Sequence, residues 1–123
     1  MHPALVAARG ALRRDLSAAV GTTLDGRPWP VGVWEAALQD ALAQRAWWLA
    51  QCEQGADHVL GLVAQDVQEA VHELDPDWPA CTEASCPAHL AHALFVEPDL
   101  GADPFWTCHR TGLPVAPVGA LGR

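Results

Sequence analysis

Asp75-Pro76-Asp77-Trp78-Pro79-Ala80-Cys81-Thr82-Glu83-Ala84-Ser85-Cys86-Pro87-Ala88-His89-Leu90-Ala91-His92 is the stretch on which the fold turns. Its first five residues set two prolines among two acids and end any helix that enters them. Proline lacks an amide proton and pushes the residue before it out of helical geometry. The remainder is rich in thiol and imidazole, as Cys81-x4-Cys86-x2-His89-x2-His92, and Cys108-His109 follows further on. Side chains of these types at two-to-four-residue spacing can converge on one tetrahedral zinc ion when a tight turn or a short helix presents them. Residues 75–80 are therefore read as a boundary between a helical domain, 1–74, and a small metal-stabilised module, 81–123.

Upstream of the boundary the apolar residues recur at helical spacing. Leu5, Ala8, Leu12, Leu16, Ala19 and Val20 predict an amphipathic helix over 4–20, with Arg9, Arg13 and Arg14 mostly on another face. Asp25-Gly26, Pro28 and Pro30 then break the pattern, so Trp29 is expected to pack from a loop. Trp34, Ala37, Leu38, Ala41, Leu42, Trp48 and Leu49 predict a second helix over 33–54, closed by Gly55 acting as a C-cap. Trp47 lies off that stripe. A third helix is expected over 57–74, burying Val59, Leu62, Val63, Val67, Ala70, Val71 and Leu74, with Gly61 as a local weakness or a close contact. Downstream the helical period disappears. Residues 94–96, 104–108 and 113–118 read as short strands, with His109–Gly112 as the turn between the last two. The fold class expected is α+β: an N-terminal three-helix bundle followed by a zinc-ribbon-like β module.

Composition narrows the function classes. The chain has 123 residues, half of them apolar, which suits one domain or one helical body with an appendage. Lys, Ile, Asn and Tyr are absent, the mark of a GC-rich genome. Of the net charge of −8, residues 51–123 hold eleven acids against Arg110 and Arg123, while residues 1–50 hold five Arg against four acids. A nucleic-acid surface needs cations to displace counterions, so the acidic C-terminal half argues against that partner, and the Arg9/Arg13/Arg14 group is the one counter-signal. No export signal and no run of apolar residues long enough for a membrane span is seen. Cytoplasmic folding is expected, where reduced cysteines are metal ligands more often than disulfides.

Within the cluster, Cys86-Pro-Ala-His89 forms a compact two-ligand knuckle, and Cys108 at a strand end can supply a third ligand. The fourth is open among Cys81, favoured by thiolate affinity, His92, favoured by sharing a helical face with His89, and His109. The competing reading makes Cys81, Cys86 and Cys108 buried small hydrophobes, or joins two of them in a disulfide. A site closed by four protein ligands holds structure; catalysis needs an open position and a base, for which Glu83 and Glu97 are the neighbours. There is no HExxH helix, phosphate-cradling glycine loop, nucleophile elbow or deaminase motif. The pairs Cys52/His58 and Cys108/His109 lack an evident orienting partner for thiol catalysis. Six Trp is a high count: Trp78 and Trp106 are expected to cap the ligand cluster, and Trp29 or Trp47 to anchor an interface if one is exposed.

Taken together, Val63-Ala64-Gln65-Asp66-Val67-Gln68-Glu69, Trp78-Pro79, Cys86-Pro-x-His89-x2-His92-x-Leu94, Trp106-x-Cys108, Gly112 and Val115-Ala116-x-Val118-Gly119-x-Leu121 form a pattern that resembles small uncharacterised proteins of actinobacteria and their phages. The resemblance covers residues 60–121. It implies a Cys-His-His-Cys site at Cys86, His89, His92 and Cys108, and a phage or prophage setting. This chain departs from the pattern by inserting residues that include Cys81 between Trp78-Pro79 and Cys86. The resulting expectation is a non-enzymatic structural or protein-interaction component with a structural Zn2+, plausible as a phage particle (virion) assembly protein that meets copies of itself or neighbouring virion proteins. The alternatives are a zinc-ribbon nucleic-acid-associated regulator and, less favoured, a zinc-dependent hydrolase.

Overall fold

The computed structural model describes residues 1–19, 23, 25–87 and 91–122. Helix α1, Pro3–Ala18, starts where proline's missing amide proton costs nothing, and the His2 imidazole accepts a hydrogen bond from the Ala4 amide at 3.0 Å. Leu5, Ala8, Leu12 and Leu16 form its buried stripe; Val20 lies outside the described residues. Helix α2, Val33–Gln51, buries Leu38, Ala41, Leu42 and Leu49. It stops short of the expected Gln54. Gly55 is not its cap but sits inside a 3-10 turn, Glu53–His58, with the Trp48 ring so close that a β-carbon there would collide with it. Helix α3, Val59–His72, packs against α1 and α2 through Val59, Val63, Val67 and Val71, one per turn, so tertiary burial overrides the modest helix preference of valine. Arg45 on α2 reaches Asp66 on α3 with two hydrogen bonds, 2.8 and 3.0 Å. Ala70, expected inside, faces solvent, and Gln68 is buried instead.

The C-terminal third is a three-stranded antiparallel meander of β1 (Phe95–Glu97), β2 (Phe105–Thr107) and β3 (Pro114–Pro117), in the order β1-β2-β3. Val96, Trp106 and Ala116 lie opposite one another across the strands, and all three are buried. The fold is α+β. No helix among the described residues is long and apolar enough to cross a membrane.

One hydrophobic core runs through the boundary at 75–80, from Leu5 in α1 to Val118 after β3. Its middle is a ladder of three tryptophans in edge-to-face contact: Trp29 to Trp78 with ring centres 6.0 Å apart, and Trp78 to Trp106 at 5.5 Å. Each buried indole N–H has an acceptor. Trp29 donates to Asp75 at 3.1 Å, Trp78 to the Ala19 carbonyl at 2.7 Å, and Trp106 to Asp15 at 2.8 Å. Gln68 donates to the carbonyls of Trp78 and Leu94, at 3.2 and 2.5 Å, tying α3 to the backbone on either side of the cysteine cluster. At Gly61 the helix meets the Asp99 carbonyl with no room for a side chain, so the glycine read from sequence as a weakness or a close contact is a close contact.

Asp15, fully buried on α1, gathers the far end of the chain: besides Trp106, it accepts from the amides of Gly119 at 2.6 Å and Leu121 at 3.0 Å. Gly119 has a φ of +102° and lies against Ala11, a conformation and a closeness that a side chain would not permit. Asp15→Ala leaves three N–H donors without their acceptor and is expected to cost about 3 kcal/mol or more. Asp15→Asn, which keeps one acceptor oxygen, should fall between it and the parent. Urea unfolding followed by tryptophan fluorescence measures both, and parental stability in Asp15→Ala would show that the carboxylate does not hold the C-terminal segment.

Candidate metal centre

Three backbone devices bring the cluster together. Residues 79–81 run antiparallel to 92–94: the Cys81 amide donates to the His92 carbonyl at 2.9 Å, the Leu94 amide donates to the Pro79 carbonyl at 2.7 Å, and Ala80 bridges Ala93. This sets Cys81 beside His92. A turn follows, in which the Cys86 amide donates to the Glu83 carbonyl at 3.0 Å and the Glu83 carboxylate accepts from the Ser85 amide and hydroxyl, at 3.2 and 3.0 Å. Cys108 directly follows β2 at the mouth of the hairpin: its amide donates to the Leu113 carbonyl at 3.0 Å and its carbonyl accepts from the Gly112 amide at 2.8 Å, with Gly112 at a φ of +74°.

The ligand atoms of Cys81, Cys86, His92 and Cys108 all lie within 4.8 Å of one another. The Cys86 sulfur is 3.6 Å from His92 Nε2, the Cys108 sulfur is 3.7 Å from the same nitrogen, and the two sulfurs are 3.8 Å apart. A tetrahedral ion with the usual Zn–S and Zn–N bond lengths has edges of about 3.8 Å between two sulfurs and about 3.6 Å between sulfur and nitrogen. The set is compatible with metal binding. All four cysteines are free thiols, so the disulfide reading is not what the fold adopts. Cys108 is fully buried, yet hydrogen bonds from the Thr111 hydroxyl first and His92 next hold its thiol down to about 5. Burial pushes the Cys81 thiol up, with the neighbouring sulfurs of Cys108 and Cys86 adding to the shift.

The structure thus gathers both Cys81 and His92, between which the sequence left the fourth ligand open, with Cys86 and Cys108. His109, the third candidate, points elsewhere: its Nε2 pairs with Glu97 at 2.8 Å, and its ring stacks on Phe95 with centres 4.7 Å apart. His89 lies outside the described residues. The Cys52 thiol contacts Gln54 at 3.7 Å and stands apart from the cluster.

With the cluster in view, comparison with known proteins places the chain. It belongs to the family described as domain of unknown function DUF8819, whose model matches residues 1–118. The DUF8819 match takes in the helices as well as the cluster, where the resemblance read from motifs began at residue 60. No curated protein and no solved structure matches the chain.

Sequence reasoning passed over Asp15 and Gln68. Both had a signal, a polar residue standing at a core position of an apolar stripe: Asp15 is three residues after Leu12, and Gln68 is midway by helical spacing between Ala64 and Val71. Thr111, which acts on Cys108 from the hairpin turn, had none.

Cobalt titration of the reduced protein checks the ligand set. Sulfur-to-metal charge transfer should scale with three thiolates, so Cys81→Ser is expected to remove about a third of it. His92→Ala should weaken binding, and His109→Ala should leave spectrum and stoichiometry unchanged.

Proposed function

We propose that this chain is a non-enzymatic protein-interaction component whose C-terminal sheet is held by a structural zinc ion. The observation that carries the reading is the four-donor cluster of Cys81, Cys86, His92 and Cys108, all within 4.8 Å of one another, in which Cys86, His92 and Cys108 stand at the edge lengths of a tetrahedral ion. Three thiolates and one imidazole form a donor set that suits zinc and leaves no coordination position for water, so the ion's contribution when bound is cohesion. The carboxylates close in sequence support this, because Glu83 is engaged by Ser85 and Glu97 by His109.

The energetic need is evident from the strands, which are three, three and four residues long. A sheet of that size buries too little on its own, and a structural zinc site adds on the order of 10 kcal/mol of binding free energy that counts toward folding. The setting in phage particle assembly, inside the cell or in the virion, rests on the resemblance to proteins of actinobacteria and their phages. A small metal-stapled fold presenting a helical face suits an assembly part.

Metal analysis of the purified chain should find one zinc per molecule. Cys86→Ser with Cys108→Ser is expected to lose the metal, to lose amide exchange protection in β1–β3 first, and to abolish assembly with its partner or with itself. Retained protection and assembly in the metal-free double variant would overturn the reading.

A further inference from the structure

The faces of the molecule are unequally used. Helix α3 packs against α1, α2 and β1, whereas the groove on the flank where α1 meets α2 is lined, among the described residues, by those two helices and Met1. A groove of about 440 Å³ opens there, within the range of about 300–1,000 Å³ found for binding clefts. Its floor is Leu5, Leu38 and Leu42, and its α2 wall is Ala43 and Ala46. One turn beyond Ala43 on the outward face stands Trp47, 70% exposed, while Trp29, Trp78 and Trp106 are buried and Trp34 and Trp48 half-buried. Exposing that much indole costs solvation free energy that the fold does not recover, and tryptophan is the residue most enriched at interface hot spots.

The opposite wall carries Arg9 and Arg13, one helical turn apart on α1. The ion pairs among the described residues are Arg27 with Asp25, Arg45 with Asp66 and His109 with Glu97, so neither rim arginine has a carboxylate partner among them. In a protein of net charge −8, two unpaired guanidinium groups beside an apolar trough set its complement: apolar in the middle and acidic along one edge. An α-helix repeats at about 5.4 Å per turn, so carboxylates at i and i+4 along one edge match the spacing of Arg9 and Arg13, while leucine-sized residues at i, i+3 and i+7 enter the trough.

We infer that the groove between α1 and α2 is the docking site for an acidic amphipathic helix of another protein, with Arg9 and Arg13 pairing its carboxylates and Trp47 closing over its apolar side. This names the surface and the partner chemistry for the interaction role proposed above and rests on that reading. A nucleic-acid strand fits less well, because the floor between the arginines and α2 is aliphatic and Glu35 lies on the far wall. The docked helix completes a four-helix arrangement in which α1 and α2 gain the partner that α3 already has.

The test uses the full metal-loaded chain and two labelled helical peptides with the same apolar stripe, one bearing glutamates at i and i+4 beside it and the other lysines, followed by fluorescence anisotropy. The glutamate peptide is expected to bind and the lysine peptide to bind at least about tenfold more weakly. Trp47→Ala should weaken the glutamate peptide by about tenfold. Arg9→Glu with Arg13→Glu should reverse the preference, so that the lysine peptide becomes the tighter ligand. That rescue separates charge recognition from damage to the fold.

Absence of binding by either peptide, or binding indifferent to the charge reversal, overturns the inference. So does a labelled DNA duplex that competes through the same arginines, or a concentration-dependent dimer that buries Trp47. Zinc content, measured on every variant, keeps the outcomes apart: a chain with one zinc and no peptide binding loses the groove alone, whereas a chain without zinc loses the proposed staple.

Discussion

A carboxylate shut away from water at Asp15 is the constraint around which this fold is organised. Burying a carboxyl group is costly unless it is met by donors, and Asp15 is met by three: the indole of Trp106 and the amides of Gly119 and Leu121. All three come from the last eighteen residues of the chain, so satisfying one side chain of α1 fixes where β2 and the segment after β3 must lie. Arg14 repeats the link from the next position, donating to the Gly119 carbonyl at 3.1 Å. The close approach of Gly119 to Ala11 follows from the same demand, since an amide can reach a buried carboxylate only if its own backbone comes nearly to the helix surface.

From Trp106 the constraint passes in two directions. Toward the bundle it runs through the edge contacts of Trp78 and Trp29, whose N–H groups are themselves held by Ala19 and Asp75. Toward the cluster it runs along β2, because Cys108 directly follows the strand, two residues beyond Trp106. Placing the indole therefore places the sulfur. Gln68 does the corresponding work for Cys81 and His92: by donating to the Trp78 and Leu94 carbonyls it holds the paired segments 79–81 and 92–94, in which they lie. The donor set is thus arranged by polar contacts made deep in the helical body, and the body's core is closed by residues of the module.

Much of this was legible in the sequence and some was not, for definite reasons. Helical periodicity survives wherever a helix keeps one face dry, so α1, α2 and α3 were found to within a few residues, and the strand-turn-strand at 104–118 was found from its composition. The end of α2 was misread because Gly55 looks like a cap in one dimension, while its role is to leave space for the ring of Trp48, a contact that spacing along a helix does not reveal. That thiols and imidazoles cluster in the C-terminal third was plain; which of Cys81, His92 and His109 join Cys86 and Cys108 was not, since that depends on an antiparallel pairing of 79–81 with 92–94 that no local pattern announces. His109 carries the same side chain as His92 but emerges on the far side of the hairpin, where Phe95 and Glu97 engage it. A polar residue in an apolar stripe, as at Asp15 and Gln68, reads as an imperfection of the stripe until its partners from the other end of the chain are seen.

The same economy accounts for which surface is left over. Strand β1 packs on α3, the segment after β3 packs on α1 at Asp15 and Gly119, and the paired segments around the cluster lie on α3 through Gln68. These contacts fall on α1 and α3. Among the described residues the groove where α1 meets α2 is lined by none of the C-terminal third; it holds Leu5, Leu38 and Leu42 with Arg9, Arg13 and Glu35, and the exposed Trp47 stands beside it. Arg9 and Arg13 stand a turn apart there with no ion-pair partner among the described residues, in a chain of net charge −8. The Cys/His cluster and the groove thus use different parts of the chain: the cluster gathers donor groups from residues 81–108, and the groove is lined by Met1, α1 and α2.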